Sequence, residues 1–185
     1  MSIFPFIQVA NTALQVQFGF NPIPAGWLYS IPYFMSMVLA PGLGGLIDKV
    51  GRRALFITTS SFLVAIACFI MAVCPYTTNP DWACLLPLIM VGFGYSIYAS
   101  ALWSSIPYIV KPQTIGSAFG LATSIQNIGL VIAPLITGIL QNKTPDRFVT
   151  TYCFLGSLAL LGMGLNIWLY VDDIKNRDGV LNKVP

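Results

Sequence analysis

An all-α integral membrane bundle is the fold class this sequence predicts, and three observations carry it. Hydrophobic residues make up 56% of the 185 and charged residues only 8%, against about 25% charged in ordinary soluble domains. No water-facing surface can be built from so few charges. Those charges are also spaced so that nothing is charged from Met1 to Ile47, Ala54 to Pro80, Trp82 to Val110, Pro112 to Asn142 or Phe148 to Val171. Each stretch exceeds the roughly 20 residues a helix needs to cross hydrocarbon. Finally, the runs are too long for the strands of a membrane barrel and lack their in-out alternation.

In chain order, the first stretch divides at Gly19 to Pro24, where Gly-Phe-Asn-Pro-Ile-Pro stops a helix. It yields a partial helix over about 3–18 and a full span over about 27–47. Further spans follow over about 54–74, 82–110, 114–140 and 148–171, and a polar tail occupies 172–185. Residues 1–171 thus read as one six-helix transmembrane bundle with an incomplete first helix, whose upstream sequence is expected to be missing. A secretory signal fits poorly, because no Lys or Arg precedes Ile3 and the polar Gln8, Asn11 and Gln15 interrupt the apolar run.

Orientation follows from the basic residues. Lys49, Arg52, Arg53, Lys111, Lys175, Arg177 and Lys183 fall on one side, and only Lys143 and Arg147 on the other. The richer side is expected in the cytoplasm, together with the C-terminus. A net charge of +3, scattered along the chain, gives nucleic acid no footprint.

The most specific local run is Gly44-Gly45-Leu46-Ile47-Asp48-Lys49-Val50-Gly51-Arg52-Arg53, between the second and third spans. Gly51 permits a tight turn, and the Asp48 carboxylate can meet neighbouring basic groups or the positive end of another helix. Two readings stand: a latch that closes a gate, or a positive stop that fixes topology.

This run resembles the loop motif of the major facilitator superfamily, Gly-x-Leu-x-Asp-basic-x-Gly-basic-basic, at every fixed position. The resemblance implies one six-helix half of that transporter fold, since the motif there joins the second and third helices of a half. Three spans and a tail follow it here, as at the end of such a protein. Phe4-Pro5-Phe6-Ile7, Phe18-Gly19-Phe20, Ala101-Leu102-Trp103 and Ser124 to Leu130 are similar to the C-terminal half of a lysosomal, dipeptide-exporting branch of the superfamily. Asn11, Val16 and Gln17 stand where that branch has charged residues. The resemblance implies lysosomal or other endomembrane residence, an N-terminal half of the same transporter or a second copy as partner, and a small polar solute as cargo.

Residue chemistry supplies the candidate contacts. Gln8, Asn11, Thr12 and Gln15 share one helical face, where amides either bind a polar solute or join helices. Gln126 and Asn127 offer the same alternatives on the fifth span, whose small residues Gly116, Gly120, Ser124 and Gly138 allow another helix to approach. Tyr95, Tyr98 and Leu102 share a face of the fourth span, and Tyr29 and Tyr33 lie one turn apart on the second; these rings either stack on a solute or simply pack. Pro32, Pro41, Pro87, Pro107 and Pro134 are expected to kink their spans. The cavity face should come from the first, second, fourth and fifth helices.

There is no His, and all six acidic residues are Asp, none placed within a predicted span. Proton relays need an ionisable group at depth, so transport is expected to be passive unless coupled elsewhere. No metal cluster, nucleophile–base pair or phosphate loop assembles; neither an enzyme nor a cofactor is expected. Cys68 and Cys153 read as apolar packers, whereas Cys74 and Cys84 bracket one loop and leave a disulfide open. Asn142-Lys143-Thr144 is a formal glycosylation sequon, expected to stay unused so near the bilayer. The competing class is a non-transporting membrane scaffold.

Epitope tags test the topology. Tags between Asp48 and Arg53 and at Pro185 should be accessible from one side of the membrane, and a tag between Pro75 and Asp81 only from the other; all three on one side would refute the span count.

Overall fold

The computed structural model describes residues 3–77, 79–143 and 147–176, which form six α-helices and no strand. These are α1 (Ile3–Val16), α2 (Pro22–Val50), α3 (Arg53–Val73), α4 (Leu85–Ile109), α5 (Ile115–Lys143) and α6 (Arg147–Asn176), with single 3-10 turns before α4 and α5. Five are long and apolar enough to span a membrane, and α1 is a shorter apolar helix. The chain is an integral, multi-pass membrane protein. The sequon's Thr144 and the tail from Arg177 to Pro185 lie outside the described residues.

Several boundaries differ from expectation for identifiable reasons. Gly19, at φ 66°, ends the turn after α1, but the following Asn-Pro does not hold the chain open: Asn21 is extended and Pro22 starts α2. Proline at a helix N-terminus loses no intrahelical hydrogen bond. Pro32, Pro41, Pro107 and Pro134 sit inside helices that run through them, and Pro87 lies in the first turn of α4, where it breaks nothing. Helix α6 continues past Val171 to Asn176, so Asp172 and Asp173 belong to a helix and not to a tail.

Packing is uneven. The scaffold is α3, which lies along α6 and α4, while α4 also lies along α2. Hydrophobicity cannot press helices together inside lipid, so close backbone approach must do so. At Gly94 the Ser60 hydroxyl donates to the Gly94 carbonyl at 2.6 Å. A Cβ there would meet Val64 Cγ2 at 2.9 Å and the Ser60 carbonyl at 3.3 Å. Gly92 sits as tightly against Pro32 and Met35 of α2, and Gly156 of α6 against Cys68 and Phe69 of α3. Helix α1 buries Phe6, Ile7, Ala10, Ala13 and Leu14 in the core this scaffold forms.

Helices α2 and α5 remain largely uncovered. The glycines expected to admit a neighbour on α5, Gly116, Gly120 and Gly138, have no atom within 4 Å of an added Cβ. No described helix uses that stripe. Cys68 is buried as expected, but Cys153 is exposed and is not a core packer.

Two alanines separate these environments. Gly94→Ala should destabilise the folded protein by about 1–3 kcal/mol through overpacking of α3 on α4. Gly138→Ala should be neutral or stabilising by up to about 1 kcal/mol, because only helix propensity changes. Denaturant unfolding in detergent checks both, and equal effects would contradict the packing described.

Candidate functional site

One face of the bundle brings together four aromatic rings and several of the candidate amides. On α2, Tyr29 and Tyr33 stack edge to face with centroids 5.9 Å apart. Tyr33 meets Tyr95 of α4 at 6.2 Å, and Tyr95 meets Phe4 of α1 at 5.5 Å. Four rings from three helices therefore form a continuous ladder in the edge-to-face geometry aromatic quadrupoles favour. Tyr33 is 40% exposed, so the ladder reaches the surface of the bundle.

From Phe4 the same side of α1 continues through Gln8, Asn11, Thr12 and Gln15 by helical spacing. Gln8 and Thr12 are exposed, while Asn11 and Gln15 are half-buried and joined by a long hydrogen bond, Gln15 Nε2 to Asn11 Oδ1 at 3.4 Å. Gln126 of α5 reaches this edge, lining with Phe4 and Tyr98 a hollow of about 10 Å³. Asn127 is exposed on the next flank of α5. The arrangement offers uncharged donors and acceptors above an aromatic floor.

Tyr95 and Tyr98 part company. Three residues along a helix leave side chains about 60° apart, and that offset carries Tyr95 into the ladder while Tyr98 packs beside Leu102 between α3, α4 and α6. The expected shared stripe is therefore two environments.

At the far edge of the bundle, the Asp48 run forms a compact turn. Helix α2 ends at Val50; Gly51 takes φ 68° and donates its N–H to the Ile47 carbonyl at 2.9 Å, and Arg52 follows at φ 46°. That sharp reversal points Arg53 inward, fully buried, where its guanidinium donates to Asp48 at 3.0 Å and lies 4.0 Å over the Tyr108 ring of α4. Asp48 remains half-exposed, and Lys49 and Arg52 face out. Gly44, by contrast, has open space around it. The motif thus clamps the α2–α3 turn to the end of α4.

Comparison with known proteins settles the family. The Major Facilitator Superfamily model matches residues 1–184. The chain belongs to the major facilitator superfamily. Among curated relatives, the lysosomal dipeptide transporter MFSD1 of Danio rerio is 27% identical over 97% of this chain and 37% of its own length. The Homo sapiens protein of the same name is 29% identical over 89% of this chain and 34% of its own. Macrolide efflux protein A of Streptococcus pyogenes is 24% identical over 64% of this chain and 28% of its own. The chain accordingly spans about a third of the length of the relatives it matches.

Two residues of this superfamily member escaped the sequence reading. Asp173 is fully buried near the end of α6. Asn166 donates to Ser61 at 3.1 Å, and continuing that antiparallel register brings Asp173 level with Arg53. A buried carboxylate and a buried guanidinium thus occupy one layer of the bundle. The available signal was the two-turn step from Asn166 to Asp173 along one face. Gln17 is the other: its amide donates to the carbonyls of Met71 at 3.2 Å and Cys74 at 2.8 Å, while its own backbone carbonyl accepts from Thr77 at 2.8 Å. Cys74 and Cys84 carry free thiols, so the open disulfide is not formed; burial and then the Asp81 carboxylate push the Cys74 thiol up, which disfavours the thiolate that exchange requires.

Unequal burial makes the clamp testable. Arg53→Ala should cost about 3–5 kcal/mol of stability, as for one member of a buried pair, whereas Asp48→Asn should cost at most about 1 kcal/mol because that carboxylate is half in solvent. Thermal unfolding of the purified protein compares them, and a larger loss for Asp48→Asn would invert the assignment.

Proposed function

We propose that this chain forms one side of a transporter that moves small polar solutes, dipeptides among them, by alternating access. One observation carries the reading: the ladder Tyr29–Tyr33–Tyr95–Phe4 and the amides of α1 and α5 share a side of the bundle that other described helices leave open. Polar side chains facing hydrocarbon are costly, which favours a watered cavity between two transporter halves. The partner is an N-terminal half of the same transporter or a second copy, since six helices supply one wall. The superfamily assignment and the names of the dipeptide-transporting relatives support the cargo class. In the same reading the membrane is lysosomal or another endomembrane, and the Asp48 end and the C-terminus are cytoplasmic. Transport is passive in this reading, because the charged side chains that the helices bury, Arg53 and Asp173, stand at the Asp48 end of the bundle and not along the solute face. The Arg53 clamp stiffens the end of the bundle that must move as a body when access alternates.

Amides neutralise no charge, so these contacts should set affinity and leave charge selection elsewhere. In proteoliposomes carrying the full-length protein, Asn11→Leu, Asn127→Leu and Tyr95→Leu should weaken apparent affinity by about 1–3 kcal/mol, or about 5- to 150-fold. The ranking of cationic, neutral and anionic solutes should stay unchanged, and a pH gradient should not drive accumulation. A protein that binds the bilayer but moves none of a panel of peptides, amino acids and sugars would instead be a scaffold. Unaltered affinity in all three variants would remove this face from the solute path.

A further inference from the structure

Around the buried Arg53, the same end of the bundle carries positive charge that the clamp does not use. Lys49, Arg52, Lys111 and Lys175 are all exposed there, and none of them makes an ion pair among the described residues. The carboxylates nearby are engaged elsewhere: Asp48 pairs with Arg53, Asp172 accepts from Asn176 at 2.7 Å, and Asp173 is buried. Three of the four cations stand close together. Lys49 and Arg52 flank the Gly51 turn, and Lys111 follows three residues after Tyr108, whose ring lies under the Arg53 guanidinium. Three residues of chain reach at most about 10 Å.

Fixing topology asks only for basic residues at this end, wherever they stand. Lys49 and Lys175 suit that role, because each lies in the last turn of its helix, where the dipole favours a cation. Arg52 and Lys111 are placed against it. Arg52 is the N-cap of α3 and Lys111 the N-cap of the 3-10 turn that leads into α5, so both charges add to positive helix ends, and no acidic residue stands in the first turn of either helix. Arg52 is also left-handed, at φ 46° and ψ 37°, which glycine or asparagine would adopt at less steric cost, and its side chain caps nothing. Repulsion and strain thus meet on one exposed turn, and an anion from outside the chain would relieve the repulsion.

The surroundings select the anion. Val50, Leu55, Ile109 and Ile174 are exposed beside these cations, in a bundle whose apolar surface faces acyl chains. Long basic side chains at such a boundary lay their stems along apolar surface and hold their charge at the polar edge. A free phosphate would meet the charges and leave the apolar residues uncovered. A phospholipid covers both.

We infer that Lys49, Arg52 and Lys111 form a seat for the headgroup phosphate of an anionic phospholipid. The lipid offsets the charge collected at the two helix starts and joins the α2–α3 turn to the α4–α5 turn from outside. The inference holds whatever solute the protein moves, and does not require that it move one.

The full-length protein, released from mixed micelles of phosphatidylcholine and phosphatidylglycerol into a mass spectrometer, gives the direct measurement. The ratio of anionic to neutral lipid it retains should exceed that of the micelle. Arg52→Asn and Lys111→Gln should each lower the enrichment about fivefold, the worth of one basic residue near an anionic surface, and the double variant should abolish it. Arg52→Lys should keep it, since the charge is kept. Raising the salt from about 0.1 M to about 1 M should erode it, as the screening length falls from about 10 Å to about 3 Å. A second readout separates charge from folding. Because asparagine tolerates the left-handed turn, Arg52→Asn should not lower the melting temperature in phosphatidylcholine alone, while the rise that phosphatidylglycerol gives the wild type should shrink. No enrichment in the wild type, or undiminished enrichment in the double variant, would overturn the seat. Loss of enrichment in Arg52→Lys equal to that in Arg52→Asn would overturn its basis in charge. Displacement of the retained lipid by glycerol phosphate at the same concentration would assign the cations to a free phosphate and overturn the lipid.

Discussion

Inside a bilayer, apolar side chains gain nothing by leaving lipid for protein, so the fold depends on how closely helix backbones can approach. The Ser60–Gly94 contact sets that approach. With the hydroxyl 2.6 Å from the opposing carbonyl and no room for a methyl group at Gly94, α3 and α4 meet at one register. Gly156 fixes α6 on the other side of α3 in the same way. Everything else is arranged around this three-helix wall: α1 fills its inner hollow, α2 leans on α4, and α5 touches it only lightly.

That hierarchy separates buried polar groups that hold protein partners from exposed ones that can take a solute. Gln17, Ser60 and Arg53 are buried and hold particular backbone or carboxylate partners; their work is positional. Gln8, Asn127 and the Tyr33 ring lie exposed on the loosely covered side. A transporter needs both kinds, because a solute must exchange water for protein partners that are not already engaged, and the wall presenting them must not deform while it does so.

Helix number and type were legible because in hydrocarbon they depend only on where charge is absent, and the gaps between Lys49, Asp81, Lys111 and Lys143 are unambiguous. The loop motif was equally legible, since Gly51 and Arg53 are required by backbone angle and by burial. Other features were hidden for reasons of geometry. Asp173 follows a long apolar run and reads as the start of a tail; only the packing of α6 along α3 shows that it faces inward. Tyr98 shares a nominal stripe with Tyr95, yet the small rotation between them carries Tyr95 into the aromatic ladder and Tyr98 toward Leu102. Gln17 stands about half a turn away from the Gln8 face by helical spacing, but nothing in the sequence says that its amide reaches the end of α3. Spacing gives faces; which neighbour occupies each face is a property of the assembled bundle.

The bonds made by Gln17 have one further consequence. Its amide and carbonyl, together with the hydrogen bond from Asp81 N–H to the Phe18 carbonyl at 3.2 Å, tie the end of α1 to the loop between α3 and α4. The surface around Thr77 and Asp81 is therefore a composite epitope, its shape dictated by a helix that does not contribute to it in sequence. An antibody fragment selected against that surface in the folded protein would read the posture of α1 from outside the membrane, and a linear peptide copied from the loop would not elicit it.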